Sequence, residues 1–214
     1  MTRKLPAVLA LAAIFLASAC SGSFLPGQAP PPKLFDLTPK STFDADLPQV
    51  KWQLLVETPI AAAGINTSRI ALKRSQTTLD YFAGAEWTDR APALVQTLMI
   101  ESFENTGKII SVGRETVALR SDYSLKIELR EFQAEYYDGE ESPPKVNVRI
   151  NAKLVLMPDR IIMASETYGF EIQSESNTLE DIVLAFNEAL GKVLKRVVGW
   201  TLREATKVEK KNKR

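Results

Sequence analysis

Histidine is absent from this 214-residue sequence, and cysteine occurs only once, at Cys20. Without histidine, the chain can build neither a Ser-His-Asp nor a Cys-His catalytic apparatus, nor a zinc site of the common Cys/His kind. A single cysteine also excludes an intramolecular disulfide. The glycine-rich loops that bind phosphates, GxGxxG and GxxxxGK[ST], do not occur. We therefore expect no enzyme, no cofactor and no metal site.

The sequence also lacks an excess of charge of either sign. Its 27 Lys and Arg residues nearly balance its 26 Asp and Glu residues, for a net charge of +1. Loss of an N-terminal segment with Arg3 and Lys4 changes this net charge to −1. No general basic field therefore indicates a nucleic-acid partner. The hydrophobic content of 45% and the length suit one ordinary soluble domain.

The first 19 residues have the features of a bacterial signal peptide. Arg3 and Lys4 supply a positive start, and the apolar run of residues 5–16 is shorter than the ~20 residues of a membrane span. Small residues then precede Cys20, in an arrangement that resembles the bacterial lipobox. We predict that residues 1–19 are removed and that Cys20 is lipidated. The alternative is an ordinary signal peptide cut beside a cysteine.

Residues 20–33 contain Pro, Gly and Ser in a composition that forms neither helix nor sheet. We interpret them as a tether between the lipid and the folded domain. Ser21 follows the lipidated position, where aspartate is the enterobacterial signal for retention in the inner membrane. The expected location is therefore the outer membrane, with the domain facing the periplasm.

Residues 34–205 are predicted to form one α+β domain, with a mixed, mostly antiparallel sheet and two main helices packed against it. A phase slip of the apolar alternation near Arg130 and Glu131 predicts a β-bulge. Strands are expected, on apolar content and alternation, at residues 34–37, 50–57, 69–74, 78–83 (closed by Gly84), 109–112, 123–136, 146–156 and 162–172.

The first helix is expected to begin with Asp89 as N-cap and Pro92 as an early helical residue. The last helix has capping-box spacing at Thr178 and Asp181. Residues 206–214 are predicted to be a basic disordered tail. Apolar stripes at helical spacing lie at Leu94, Val95, Leu98, Met99 and Phe103, and at Leu179, Ile182, Val183, Phe186, Leu190, Val193, Leu194 and Val197.

Three carboxylates, Asp80, Glu86 and Asp89, cluster around Tyr81 and Trp87 in the sequence. A glycosidase-like pair is one interpretation. Roles as caps, turns and a solvated strand face are favoured, because such positions are common for acidic residues.

The segments RIAL at Arg69–Leu72 and LDYFAGAEW at Leu79–Trp87, with the helix that begins at Pro92, resemble the ABC-type transport auxiliary lipoprotein family. The segment LFDLTP at 34–39 is similar to the family's first strand. The resemblance extends over about residues 20–205, and none of its motifs is catalytic.

This resemblance implies a non-enzymatic subunit that works with an MCE-domain protein, a permease and an ATPase in moving lipids between the envelope membranes. The family includes the lipoprotein of the paraquat-inducible operon. This relative implies a homo-oligomeric ring as one alternative for the assembly of the protein. Tyr81, Trp87 and Trp200 are the candidate partner-binding residues, since aromatic residues dominate interfaces. A stand-alone carrier with its own lipid pocket is the alternative function, and a periplasmic hydrolase is disfavoured.

We predict that Cys20→Ser protein is neither processed nor acylated, because no other thiol is present to receive the acyl chains. Mass spectrometry of the membrane fraction should detect diacyl or triacyl mass on the parent, since more than one chain is needed for stable anchoring. Ser21→Ala is the control and should stay acylated. Acylated, membrane-bound Cys20→Ser protein would contradict the assignment.

Overall fold

The computed structural model describes residues 30–114 and 120–212, and Pro32–Arg214 form one compact unit. The predicted signal peptide and Cys20 lie outside the described residues, as does the tether up to residue 29. Of the helices in the described part, none has the length and apolar character needed to cross a membrane.

Nine strands and two helices make up the described fold, as expected for an α+β domain. The helices are α1 (Ala91–Glu104), which follows the fifth strand, and α2 (Leu179–Asn212), which follows the ninth. The strands are β1 (Lys33–Phe35), β2 (Gln53–Val56), β3 (Ile60–Ala61), β4 (Arg69–Ser75), β5 (Thr78–Trp87), β6 (Ser111–Gly113), β7 (Tyr123–Glu135), β8 (Lys145–Leu156) and β9 (Ile161–Gln173).

Strand β7 organises the sheet. One of its edges pairs with β8 along nearly the whole strand, and β8 pairs with β9 in the same antiparallel way. The other edge is shared by β2, β3 and β4, all parallel to β7. Beyond them, β6 pairs with β2 in parallel, β5 forms an antiparallel hairpin with β4, and β1 lies parallel to β5. The two long antiparallel ladders make the sheet mostly antiparallel.

The predicted bulge in β7 is confirmed. Leu129 lies opposite Ile150, whereas Glu131 lies opposite Arg149, so Arg130 is the extra residue. Without this insertion the second half of β7 would turn its apolar side chains away from the core. With it, Phe132 is buried on the same face as the first half of the strand.

Two local predictions around β5 are wrong. Gly84 does not close the strand; it lies inside β5 with φ of +65°, and the pairing with β4 is irregular there. A positive φ costs glycine little, so the strand continues to Trp87. The N-cap of α1 is Arg90 rather than Asp89, and Asp89 Oδ1 instead accepts a hydrogen bond of 2.6 Å from Arg90 N.

The core lies between the sheet and the two helices. All five residues of the predicted α1 stripe are buried, and the helix is followed by Asn105 as C-cap and by Gly107 with φ of +61°. The α2 stripe is buried too, apart from the partly buried Leu179. Trp87, Phe132 and Phe186 form an aromatic cluster at the centre, with ring centroids 5.1 to 5.6 Å apart.

Helix α2 begins as the capping spacing predicts, with Asp181 N donating to Thr178 Oγ1 at 3.4 Å. Its end differs from the prediction, because the helix continues to Asn212 through the segment for which a disordered tail is expected. Lys207 pairs with Glu204 at 2.6 Å, one turn earlier. Lys and Glu are good helix formers, and such pairs support a helix beyond its last buried residue.

We predict that Phe186→Ala and Leu190→Ala each lower the free energy of unfolding by about 2–5 kcal/mol, because both side chains are fully buried against the sheet. Leu184→Ala on the same helix is the control. Leu184 is 64% exposed, so the expected change is within about 0.5 kcal/mol. Urea unfolding measures all three. Parent-like stability of both core variants would mean that the stripe is not core.

Candidate functional site

Of the three aromatic residues predicted to bind a partner, Trp87 is not available at the surface. It is 1% exposed and packs between Phe132 and Phe186. An interface hot spot must be exposed in the free protein, so the role of Trp87 is to fill the core.

Tyr81 is half-buried and holds a loop against the β4–β5 hairpin. Its hydroxyl donates a hydrogen bond of 2.9 Å to Gly64 O, and the Arg69 guanidinium lies 3.5 Å from its ring centroid. These contacts use both the polar tip and one face of the ring. Tyr81 therefore has a structural role, and the rest of its side chain lines a surface pocket with Phe82 and Tyr136.

The three carboxylates near these aromatics each bind a local group. Asp80 pairs with Arg74 at 2.7 Å, and Glu86 accepts a hydrogen bond of 2.7 Å from Ser68. Asp89 accepts from the α1 N-cap residue, as described above. Their contacts are those of strand and turn residues, which supports the structural interpretation over a catalytic pair.

Trp200 lies in a different setting, a groove of about 470 Å³ between α2 and the helix-facing side of β9. We call it the Trp200 groove. Five cationic and two acidic residues contribute to its walls, so the walls carry a net positive charge. The lining residues are Asp44, Tyr168, Phe170, Lys192, Lys195, Arg196, Trp200, Arg203, Glu204 and Lys207.

The basic wall of the groove is a single stripe of α2. The stripe consists of residues at intervals of three or four positions along the helix: Lys192, Arg196, Trp200, Arg203 and Lys207. Side chains at this spacing lie on the same face of a helix. The opposite wall consists of Tyr168 and Phe170, both partly buried, which point from β9 toward the helix.

Most of these cations are paired within the fold. Lys195 binds Asp44 at 2.8 Å, and Arg203 bridges Asp44 at 3.3 Å and Asp46 at 3.1 Å. Hydrogen bonding from Lys195, with a further contribution from Arg203, lowers the pKa of the Asp44 carboxyl. These contacts tie the loop before β2 to α2.

Lys192 and Lys207 are paired along the helix, with Glu188 and Glu204 respectively. Arg196 differs from its neighbours, because its side chain has no ion pair or hydrogen bond with any residue that the structure describes. It is exposed at the middle of the stripe. The uncompensated positive charge of the groove is therefore centred on Arg196.

Tyr168, on the facing wall, has a perturbed phenol. Burial, followed by the negative charge of Glu166, raises the pKa of Tyr168 to about 12, and Arg196 acts in the opposite direction. The phenol therefore remains protonated at neutral pH and can donate a hydrogen bond into the groove.

Of the residues that line this groove, the sequence predicted a partner-binding role for Trp200. The helical spacing of the cations around it was the further signal. Nothing local in the sequence places Tyr168 and Phe170 opposite that stripe, because the fold brings β9 and α2 together.

We predict that the phenol of Tyr168 titrates near pH 12, about two pH units above an ordinary tyrosine. Between about pH 10 and 12 the unfolded state loses this proton while the folded state keeps it, so stability falls as pH rises through that window. Ultraviolet titration of the parent and Tyr168→Phe isolates the phenol. A difference spectrum with a midpoint at pH 10 would contradict the burial of this group.

Comparison with known proteins connects this fold to several relatives. Protein XCC0632 from Xanthomonas campestris, known from a crystal structure, is 33% identical in sequence to this chain. The two structures superpose with a TM-score of 0.79, over 83% of this chain and 99% of that one. A second crystal structure, of an uncharacterized protein, has a TM-score of 0.62 at 10% identity, over 79% of this chain and 97% of that chain, and shares the fold.

The uncharacterized protein bll6063 of Bradyrhizobium diazoefficiens is 27% identical over 177 residues, 82% of this chain. The match spans only about half of that relative, 47% of its length. The family model described as "ABC-type transport auxiliary lipoprotein component" matches residues 34–198, which include β2–β9, α1 and the first part of α2. The chain therefore belongs to the family of ABC-type transport auxiliary lipoprotein components.

Proposed function

We propose that this protein is a lipid-anchored accessory subunit of an MCE-type ABC transport system in envelope lipid trafficking, and that it acts by docking rather than by catalysis. Its partners are the MCE-domain protein with its permease and ATPase. The family membership and the lipidation pattern at Cys20 support this assignment. The signal peptide and Ser21 support a periplasm-facing position at the outer membrane.

The Trp200 groove is the observation that carries the docking role. Trp, Tyr and Arg are the residues that most often dominate the energy of protein interfaces, and this groove has all three. Arg196 is exposed without a partner among the described residues, so no internal ion pair has to break when it binds. A partner group of opposite charge meets little competition there.

The position of the groove suits an anchored protein. The chain enters the fold at Lys33, which forms an ion pair with Glu180 at the start of α2. Arg196 lies about 24 Å further along this helix. The groove is thus distant from the residue where the folded domain begins, and the proposed anchor raises the local concentration of the domain for any partner that reaches the same membrane.

We predict that the tagged lipoprotein recovers the MCE protein from detergent-solubilised, crosslinked envelopes, and that Trp200→Ala reduces the yield several-fold. Tyr137→Ala is the control, because Tyr137 is an aromatic residue with 46% exposure that follows the end of β7 and does not line the groove. Recovery should be unchanged in this control, with both variants folded by circular dichroism.

Absence of the MCE protein from the crosslinked complex, together with an intact lipid barrier after gene deletion, would overturn the proposed function. Phospholipid bound stoichiometrically to the purified domain without any partner would instead favour the carrier function.

A further inference from the structure

Strand β9 is an unusually open edge of the sheet. Among the described strands it pairs only with β8, although it is 13 residues long. Proteins protect such edges with charged side chains, above all lysine, with proline, with a β-bulge or with a covering segment. Strand β9 has two glutamates, Glu166 and Glu171, and one register irregularity near its start, between Ile162 and Ala164, and is regular from there to Gln173. The sequence of β9, IIMASETYGFEIQ, contains neither lysine nor proline. Its outer row of backbone groups can therefore accept another strand.

The direction of the backbone groups follows from two contacts. Ser174 N, just after β9, donates to Pro144 O on the β8 side at 2.9 Å. Backbone groups alternate in direction along a strand, so the odd-numbered residues from Ser165 to Glu171 point outward. In agreement, Thr167 N donates to the carboxylate of Glu166 instead of to β8, at 3.3 Å.

The open edge runs beside the basic stripe of α2. From Lys192 to Lys207 the helix rises about 22 Å, and from Ala164 to Ile172 the strand extends about 27 Å. A strand added to β9 lies about 4.8 Å further out and turns every second side chain toward α2. One extended segment of about eight residues thus contacts both surfaces.

We propose that β9 and the Trp200 groove bind an extended acidic segment of a partner protein, which adds as a strand to the β9 edge. Its backbone pairs with the outward groups of β9. Its acidic side chains face the stripe centred on Arg196, and an apolar side chain enters the groove between Trp200 and Tyr168. The inference rests on the proposed docking function, for which it supplies the surface and the chemistry of the partner.

Charge and backbone geometry together favour this occupant. Four of the five cations that line the groove are paired with acidic residues of the fold, so the free positive charge is that of Arg196, where an acidic residue gains an ion pair without breaking one within the described residues. An anionic membrane surface would also be attracted by the cations. It offers no ladder of alternating donors and acceptors for the strand edge, whereas an extended peptide does.

The experiment selects random 12-residue peptides by phage display on the full acylated lipoprotein in detergent. Selected peptides are expected to be acidic and free of proline, with alternating apolar residues. In fluorescence anisotropy, Arg196→Glu should weaken their binding at least about tenfold. Lys51→Glu carries the same charge change at an exposed site beside β2 and should have less than about a twofold effect.

The strand contact is tested by a second matched pair. Glu171→Pro removes an outward N–H, whereas Glu171→Thr removes the same charge and keeps the N–H. We expect the proline variant to bind about fivefold more weakly than the threonine variant. Amide hydrogen exchange of the parent gives an independent reading: bound peptide should slow exchange at Thr167, Gly169 and Glu171.

Failure to enrich any peptide, enrichment of neutral or basic peptides, or equal affinity for Arg196→Glu and the parent would overturn the proposal. Binding without protection of the β9 amides would overturn the strand addition. Binding of the protein to phosphatidylglycerol vesicles that is lost in Arg196→Glu, with no peptide selected, would assign the groove to a membrane surface instead. None of these outcomes depends on recovery of the MCE protein, which tests the proposed function separately.

Discussion

The packing of α2 onto the sheet is the interaction on which the rest of the structure depends. It centres on the contact of Phe186 with Trp87 and Phe132, which joins the last helix to β5 and β7. Three large aromatic side chains remove much apolar surface from water, and their tilted rings add a favourable geometry. The helix thereby connects the parts of the sheet that lie on either side of β7.

Helix α2 contributes one face to the core and the neighbouring face to the Trp200 groove. Its buried stripe fixes the rotation of α2, so the cations around Arg196 necessarily lie on the neighbouring face beside β9. A rotation of α2 that moved these cations would expose the apolar stripe, which is energetically costly. The packing of the core therefore fixes where the docking surface that we propose lies.

Much of the fold could be predicted from residue patterns because burial imposes them. The slip of alternation at Arg130 predicted a bulge that the pairing with β8 contains, since each half of β7 must keep its apolar side inward. The predictions around Gly84 and Asp89 failed for a different reason. There the backbone follows tertiary pairing with β4 and the preceding loop, and local preference is only a weak guide.

The sequence alone determined the family, the α+β class and the residues of both helical stripes, because short motifs and hydrophobic periodicity are local properties of a chain. The tertiary structure alone decided which aromatic residue is accessible. Trp87 is in the core and Trp200 lines a basic groove, although Trp87 is the one with polar neighbours in the sequence, Glu86 and Thr88. That difference arises because β9 ends the sheet beside α2, and the position of a sheet edge follows from strand order, which no local pattern records.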